Sequence, residues 1–128
     1  ALGFAWKSAM HIHKESEIKE DGTKVYYLHG PLFFGSVTDF NLGFSPAEDP
    51  ESVIVDMKDS RVWDHSGLEA IHKLGERYHK NRKNVKLRHI SSNCRALLKK
   101  AGTMVDIQVL PDDPSYHVAQ LKDGLPTD

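Results

Sequence analysis

The stretch Asp64-His65-Ser66-Gly67 holds the residues best suited to chemistry, because a carboxylate, an imidazole and a hydroxyl occupy three consecutive positions. Asp64 and Ser66 can accept hydrogen bonds from the N–H groups that a helix leaves unpaired in its first turn. A helix start can also hold an anion or a nucleotide, but no glycine-rich loop with a lysine accompanies this one. We therefore predict that Asp64 and Ser66 cap a helix and that His65 is a surface residue, with weak anion binding as the alternative.

The eight histidines and the single cysteine are the other candidate reactive groups. His72 and His79 are seven residues apart, whereas a metal-binding pair on a helix is normally three or four apart. His11 and His13 have no cysteine or acidic partners clustered with them. Cys94 excludes an internal disulfide and has no neighbours in the sequence that would make it a nucleophile. We expect no metal, no cofactor and no catalytic residue.

Positive charge is concentrated in one part of the chain. Residues 73–100 contain ten Lys or Arg and one acid, a net charge of +9, and because the whole chain carries −1 the remainder carries −10. Such asymmetry favours electrostatic association with anionic lipid headgroups or an acidic protein, although the charges can also belong to solvated helix faces. We choose Lys80, Arg82 and Lys83 as the candidate contacts. The block lacks the interleaved exposed aromatic residues of nucleic-acid binding surfaces, so we expect no nucleic acid.

The 128 residues are enough for one domain, and the N-terminal half predicts a hairpin and a short helix. Residues 1–10 form an interrupted apolar helical stripe, which suits a juxtamembrane linker or a terminal helix packed on its own domain. Strands are expected near residues 11–18 and 25–28, joined by a turn at Asp21-Gly22. An apolar run over residues 30–35 follows, and Ser36 is placed to cap a helix that ends before Gly43. This run contains Phe33 and Phe34, and Phe40 and Phe44 follow it. We expect one or two of these four phenylalanines to be exposed at a domain interface.

Strands and helices alternate in the C-terminal half. We predict a strand at residues 53–56, a helix from about residue 66 to 80, a strand at 85–90, a helix capped by Ser92 or Asn93 and stopped at Gly102, and a strand at 105–110. Pro114 is placed to open a final helix through Val118 and Leu121. The fold class is therefore α/β: a mixed sheet built from an N-terminal hairpin and βα units, covered by helices. We place the domain at residues 11–121 and a tail at 122–128.

This order of elements resembles a STAS domain, and more narrowly the cytoplasmic C-terminal STAS domain of SulP-family anion transporters. Two motifs carry the resemblance: residues 30–36, Gly-Pro-Leu-Phe-Phe-Gly-Ser, and residues 64–67 followed by Leu68. The first motif is fairly specific to the transporter branch, and the resemblance covers about residues 10–121. It implies the fold predicted above.

The same fold occurs in anti-sigma-factor antagonists, in which a serine of the motif Asp-Ser-Ser-Gly is phosphorylated. Aligned on Asp64 and Gly67, His65 takes the position of that serine, and Ser66 matches the serine that is not normally the acceptor. Phe33 stands where the antagonists have an aspartate. The resemblance therefore implies that the phosphorylation switch is missing.

By resemblance, the chain is expected to be a non-catalytic regulatory and interaction domain at the cytoplasmic face of the plasma membrane, soluble when isolated. Its first expected partner is the transmembrane domain of the same sulfate, bicarbonate or related anion transporter. A homodimer, an acidic cytoplasmic protein and an anionic lipid surface are further candidate partners. The alternative is a soluble signalling protein similar to the antagonists, in one version nucleotide-binding.

Overall fold

The computed structural model describes residues 11–118 as a five-stranded sheet with three helices. The elements in chain order are β1 (His13–Ile18), β2 (Lys24–Leu32), α1 (Val37–Leu42), β3 (Ser52–Val62), α2 (His65–Lys80), β4 (Asn84–Arg88), α3 (Ser92–Ala101) and β5 (Asp106–Gln108). The expectations for residues 1–10, for the end of the final helix and for the tail lie outside the described residues.

The strands follow one another in space in the order of the sequence, β1-β2-β3-β4-β5. β1 and β2 form the predicted antiparallel hairpin, whereas β2 to β5 are parallel to one another. The predicted mixed sheet is confirmed. We call the end where β2 to β5 finish the carboxyl end of the sheet, and the end where they begin the amino end.

The helices pack together over one face of the sheet and share a single core with it. α2 supplies an apolar stripe to this core, with Leu68, Ile71, Leu74 and Tyr78 all buried. A Cβ atom on Gly75 would lie 2.8 Å from Val105 Cγ1, so this glycine permits α2 to pack closely on the chain just before β5.

The opposite face carries a polar row across the sheet. Tyr27, Asp56, Arg88 and Gln108 are in register on β2, β3, β4 and β5. The buried carboxylate of Asp56 accepts a hydrogen bond of 2.8 Å from Arg88 Nε, and His89 Nδ1 lies 3.2 Å from the same group. This pair of contacts satisfies a charge that would be costly to bury alone.

A second buried carboxylate, Asp49, organises the amino end of the sheet. Its side chain is 2% exposed and lies 2.9 Å from Lys24 Nζ. The hydroxyl groups of Tyr26, at 2.6 Å, and of Tyr78 also donate hydrogen bonds to it. The loop between α1 and β3 is thereby tied to β2 and to α2.

Several predicted boundaries are wrong. β3 continues to Val62 instead of ending at Asp56, because a bulge lets it stay paired with β2: Tyr27 is opposite Asp56, but His29 is opposite Asp59. Sequence periodicity is blurred at a bulge. β4 ends at Arg88, before the predicted residue 90, because His89 adopts a left-handed backbone with φ of 62°.

The C-terminal part of the described chain also differs from the prediction. Ser91, rather than Ser92 or Asn93, caps α3, and its side chain accepts the Cys94 N–H at 3.0 Å. β5 covers only residues 106–108. Residues 114–118 are not helical, because they make tertiary contacts instead: the Val118 N–H donates to Asn93 Oδ1 at 2.6 Å.

Candidate functional site

The candidate site is the carboxyl end of the sheet, where Asp64 joins two loops. Asp64 is the N-cap of α2, and its Oδ1 accepts the Gly67 N–H at 3.1 Å. Its Oδ2 accepts the N–H of Phe34, also at 3.1 Å, from the loop after β2. One carboxylate thus holds together the loops that follow two neighbouring parallel strands. The cap was predicted, but the bond to Phe34 spans 30 residues and has no signal in the local sequence.

The other residues of the motif have separate roles. α2 begins at His65, which is exposed, and Ser66 lies half-buried inside the first turn, so Asp64 is the cap and Ser66 is not. Gly67 is buried, and a Cβ atom there would lie 2.8 Å from the carbonyl oxygen of Leu32. The glycine therefore lets the start of α2 pack directly on the end of β2.

Phe33, Phe34 and Trp63 form an exposed group that we call the aromatic cluster. The Phe33 ring lies 4.9 Å from that of Trp63 and 5.4 Å from that of Phe34, measured between centroids. Phe34 is 74% exposed and Trp63 is 40% exposed, whereas Phe40 and Phe44 are buried. Trp63 was not singled out in the sequence, although its position directly before the cap residue was a usable signal. Contiguous exposed aromatic rings are typical of surfaces that meet a partner.

Hydrogen bonds fix the backbone on both sides of the aromatic cluster. The Trp63 N–H donates to the Leu32 carbonyl at 2.9 Å. Ser36 Oγ accepts the Phe33 N–H at 3.1 Å and donates to the Pro31 carbonyl at 2.8 Å. The backbone that carries the rings is therefore held in place before any partner binds, which reduces the entropy lost on association.

The chain enters the described domain at the same end of the sheet. Gly30, near the end of β2, has φ of 102°, and a Cβ atom there would collide with the carbonyl oxygen of His11. His11 Nε2 also lies 3.4 Å from Asp39 Oδ2, in the first turn of α1. Because α1 follows the Phe33–Ser36 loop directly, residue 11 and the aromatic cluster share the carboxyl end.

The basic residues proposed as contacts lie at the other end and are not equivalent. Lys80 and Arg82 are exposed. Lys83 instead donates to the carbonyl oxygens of Pro46, Ala47 and Asp49 at 2.9, 3.3 and 2.5 Å. Its charge is thus engaged inside the domain, which local sequence could not reveal because the acceptors are more than 30 residues away.

Reactive groups are few in the part of the chain that the structure describes. Residues 11–118 contain no group of three or more His, Cys, Asp or Glu side chains placed to hold a metal ion. Burial raises the pKa of the Cys94 thiol to about 12, so the thiol stays protonated near neutral pH. No helix within these residues is long and apolar enough to cross a membrane.

Comparison with known families identifies the family of this chain. The family described as STAS domain matches residues 16–112, and the chain belongs to this family. It is also 29% identical over 85 residues to the putative sulfate transporter YbaR of Bacillus subtilis (strain 168). That alignment covers 66% of this chain but only 18% of the transporter. The predicted relationship to STAS domains of anion transporters is confirmed.

Solved structures agree with this fold. The STAS domain of an antisigma-factor antagonist from Rhodobacter sphaeroides is 27% identical, with a TM-score of 0.55, over 59% of this chain and 84% of that one. The murine anion transporter Slc26a9 in its inward-facing state is 16% identical, with a TM-score of 0.57, over 79% of this chain and 20% of that one. The likeness to Slc26a9 shows the fold alone.

Proposed function

We propose that this chain is the cytoplasmic regulatory and interaction domain of a SulP-type anion transporter and that it has no catalytic activity. Homology to a putative sulfate transporter supports the class. The observation that carries the proposal is the aromatic cluster, held rigidly at the end of the sheet where residue 11 lies. In a transporter with its membrane portion before this domain, that end faces the membrane portion.

The aromatic cluster is the proposed contact with the transmembrane portion. The exposed rings of Phe34 and Trp63 offer apolar area that would be removed from water on docking, at roughly 25 cal/mol per Å². The Phe34 N–H is already held by Asp64 and the Trp63 N–H by the Leu32 carbonyl, so movement of the membrane portion would be transmitted to β2, β3 and α2 together.

The exposed Lys80 and Arg82 fit an acidic cytoplasmic protein better than lipid headgroups. α2 has 16 residues and is therefore about 24 Å long at 1.5 Å per residue. Lys80 at its end is thus several times farther from the aromatic cluster than the Debye length of about 8 Å at physiological ionic strength. A domain docked through the aromatic cluster would hold these two cations away from the membrane surface.

The rival function is that of a soluble signalling protein like the Rhodobacter antagonist, which the 27% identity over most of that chain favours. Two features of this chain oppose it. His65 occupies the expected phosphoacceptor position, and both oxygens of the Asp64 carboxylate are already engaged by backbone N–H groups. A bound nucleotide or anion would also meet the negative charge of Asp64 at the start of α2.

The test uses the complete gene product in proteoliposomes, with uptake of labelled sulfate and bicarbonate as the readout. We expect the wild type to transport at least one of the two anions and the double variant F34S/W63S to transport it well below the wild-type rate. Ile18→Ser is the matched control, because Ile18 is 62% exposed on β1, at the end away from the aromatic cluster, and should leave uptake unchanged.

Each result bears on a different part of the proposal. Absence of transport by the wild type contradicts the assignment to a transporter of these anions. Transport that is equal in wild type and F34S/W63S contradicts only the docking role of the aromatic cluster. The rival is tested by incubating the 128-residue chain with an antagonist kinase and ATP: we expect no phosphate by mass spectrometry, and stoichiometric phosphate on Ser66 would favour the signalling function.

A further inference from the structure

A groove runs along the outer side of β5, far from the aromatic cluster. It has a volume of about 330 Å³ and lies between β5 and α3. Its lining includes apolar residues on and beside β5, one acid on β5 and two basic residues on α3: Val105, Ile107, Val109, Asp106, Arg95 and Lys99. Nothing in the proposed transporter function uses this groove.

β5 is the last strand of the described sheet and pairs with β4 on one side only. Within residues 11–118, no strand covers its other side. Such an edge presents backbone N–H and C=O groups that can pair with an extended chain. Val109, just after β5, is 62% exposed, and Met104, before it, is 51% exposed. Of the three residues of β5 only Asp106 is charged, and none is a proline, so the protection common on edge strands is slight here.

The charges around the groove favour an acidic occupant. Lys99 and Lys100 are exposed in the last turn of α3, and within the described residues neither ammonium group pairs with a carboxylate. Arg95 Nη1 lies 3.4 Å from Asp113 Oδ2. Asp106 also lines the groove. It is in register with Lys86, on the row that alternates with Leu87 and Ile107, so strand alternation directs its side chain to the face opposite that of Ile107.

We propose that this groove binds an extended acidic segment of a partner protein, which adds to β5 as a sixth strand. Alternate side chains of a strand point to the same face. The pattern that fits is therefore an acid, an apolar residue and an acid at every second position, with the apolar side chain over Ile107 and the acids toward Arg95 and Lys99. A lipid headgroup has no backbone to pair with β5. A peptide is therefore the occupant that uses the open strand edge, the apolar lining and the basic side chains together.

The probe is the acetylated and amidated pentapeptide Glu-Thr-Val-Thr-Glu, titrated into the isotope-labelled 128-residue chain and followed by NMR. We expect shifts confined to the backbone amides of residues 103–109 and to the α3 side of the groove. The same peptide with Lys in place of Glu should not bind. Lys99→Glu should weaken binding about tenfold, because it replaces an attraction by a repulsion, whereas Lys73→Glu on α2, also exposed, should leave it unchanged.

Peptides methylated on backbone nitrogens separate strand addition from simple charge attraction. One version is methylated at Val and the other at both Thr residues, so that the methyl groups obstruct opposite edges of the extended peptide. We expect one version to bind and the other to fail. Equal binding of both versions, binding that ignores Lys99→Glu, or no binding at all would overturn the proposal. Binding that appears only after residues 119–128 are deleted would also overturn it, because the chain's own C-terminus would then be the occupant.

Discussion

The two ends of the sheet use similar polar residues for opposite purposes. At the amino end, the carboxylate of Asp49 is almost completely buried and accepts hydrogen bonds from two tyrosine hydroxyl groups and a lysine. At the carboxyl end, the half-buried Asp64 accepts two backbone N–H groups, and one of them belongs to Phe34 of the exposed aromatic cluster. The contacts at the amino end stabilise the fold, whereas those at the carboxyl end position an exposed apolar surface.

Neighbouring basic side chains also differ in whether they stabilise the fold or remain exposed. Lys80 and Lys83 are three residues apart, yet the first is exposed and the second donates to three loop carbonyl groups. Arg77, on the same helix, donates to the carbonyl oxygens of Asn41 and Phe44. A run of positive charge in the sequence therefore contains both structural and available cations, and only their distant acceptors distinguish them.

The largest effect is expected from Asp49→Asn, which should lower the free energy of unfolding by about 2–4 kcal/mol because it breaks a buried charged pair and leaves a polar partner unsatisfied. Urea unfolding followed by circular dichroism measures it. Glu48→Gln is the control, since Glu48 is exposed beside it. If Asp49→Asn changed the free energy of unfolding by less than about 0.5 kcal/mol, the contacts of Asp49 at the amino end would not stabilise the fold as described.

Acid should destabilise the domain through the same carboxylates. Burial alone would raise the pKa of Asp49, but hydrogen bonds from Tyr26, Tyr78 and Lys24 outweigh it and hold the pKa below its ordinary value of 3.8. For Asp56, hydrogen bonds from the Lys58 N–H, Arg88 and His89 likewise outweigh burial and lower the pKa.

Because the folded chain binds these protons more weakly than the unfolded chain, the stabilisation is complete above the ordinary value and is lost as pH falls through the folded-state pKa values. Urea midpoints measured from about pH 6 down to about pH 3 should therefore fall at the acid end. The fall should be smaller for Asp49→Asn than for wild type, and an equal fall in both would assign the acid sensitivity to other groups.

Lys83→Met should cost about 2 kcal/mol, because three carbonyl groups lose a charged donor. Lys80→Met should change the free energy of unfolding by less than about 0.5 kcal/mol, as expected for an exposed residue. The two substitutions make the same chemical change and differ only in whether the lysine donates hydrogen bonds within the domain. Equal costs in thermal or urea unfolding would remove the distinction between structural and available cations.

Asp64→Ala should cost less than Asp49→Asn or Lys83→Met, about 1 kcal/mol for the lost cap. Asp64→Ser should recover most of it, because a serine oxygen can also accept the Gly67 N–H, but it has no second oxygen for Phe34. We therefore expect Asp64→Ser to restore the urea midpoint while amide hydrogen exchange at Phe34 stays fast. Slow exchange at Phe34 in both variants would show that Asp64 does not hold the aromatic cluster in place.

Local sequence patterns predicted most of the helices and strands. They failed where strand pairing continued although buried and exposed residues no longer alternated along the strand. The hairpin turn, the apolar stripe of α2 and the cap at Asp64 were predictable, because each depends on residues within a turn or two of one another. β3 was predicted six residues too short at its carboxyl end, since the bulge beside His29 interrupts the alternation of buried residues. The final helix was predicted from Pro114, but the N–H of Val118 found a tertiary acceptor in Asn93.

The sequence by itself determined the order of strands and helices, the STAS family and the position of the α2 cap, because these follow from short-range periodicity, turn residues and motifs. Tertiary structure alone decided that Phe34 is held by Asp64, that Trp63 completes the aromatic cluster and that Lys83 is unavailable to a partner. The physical reason is that each of these facts depends on a contact between residues some 30 positions apart, which only the packing of the parallel strands and α2 brings together.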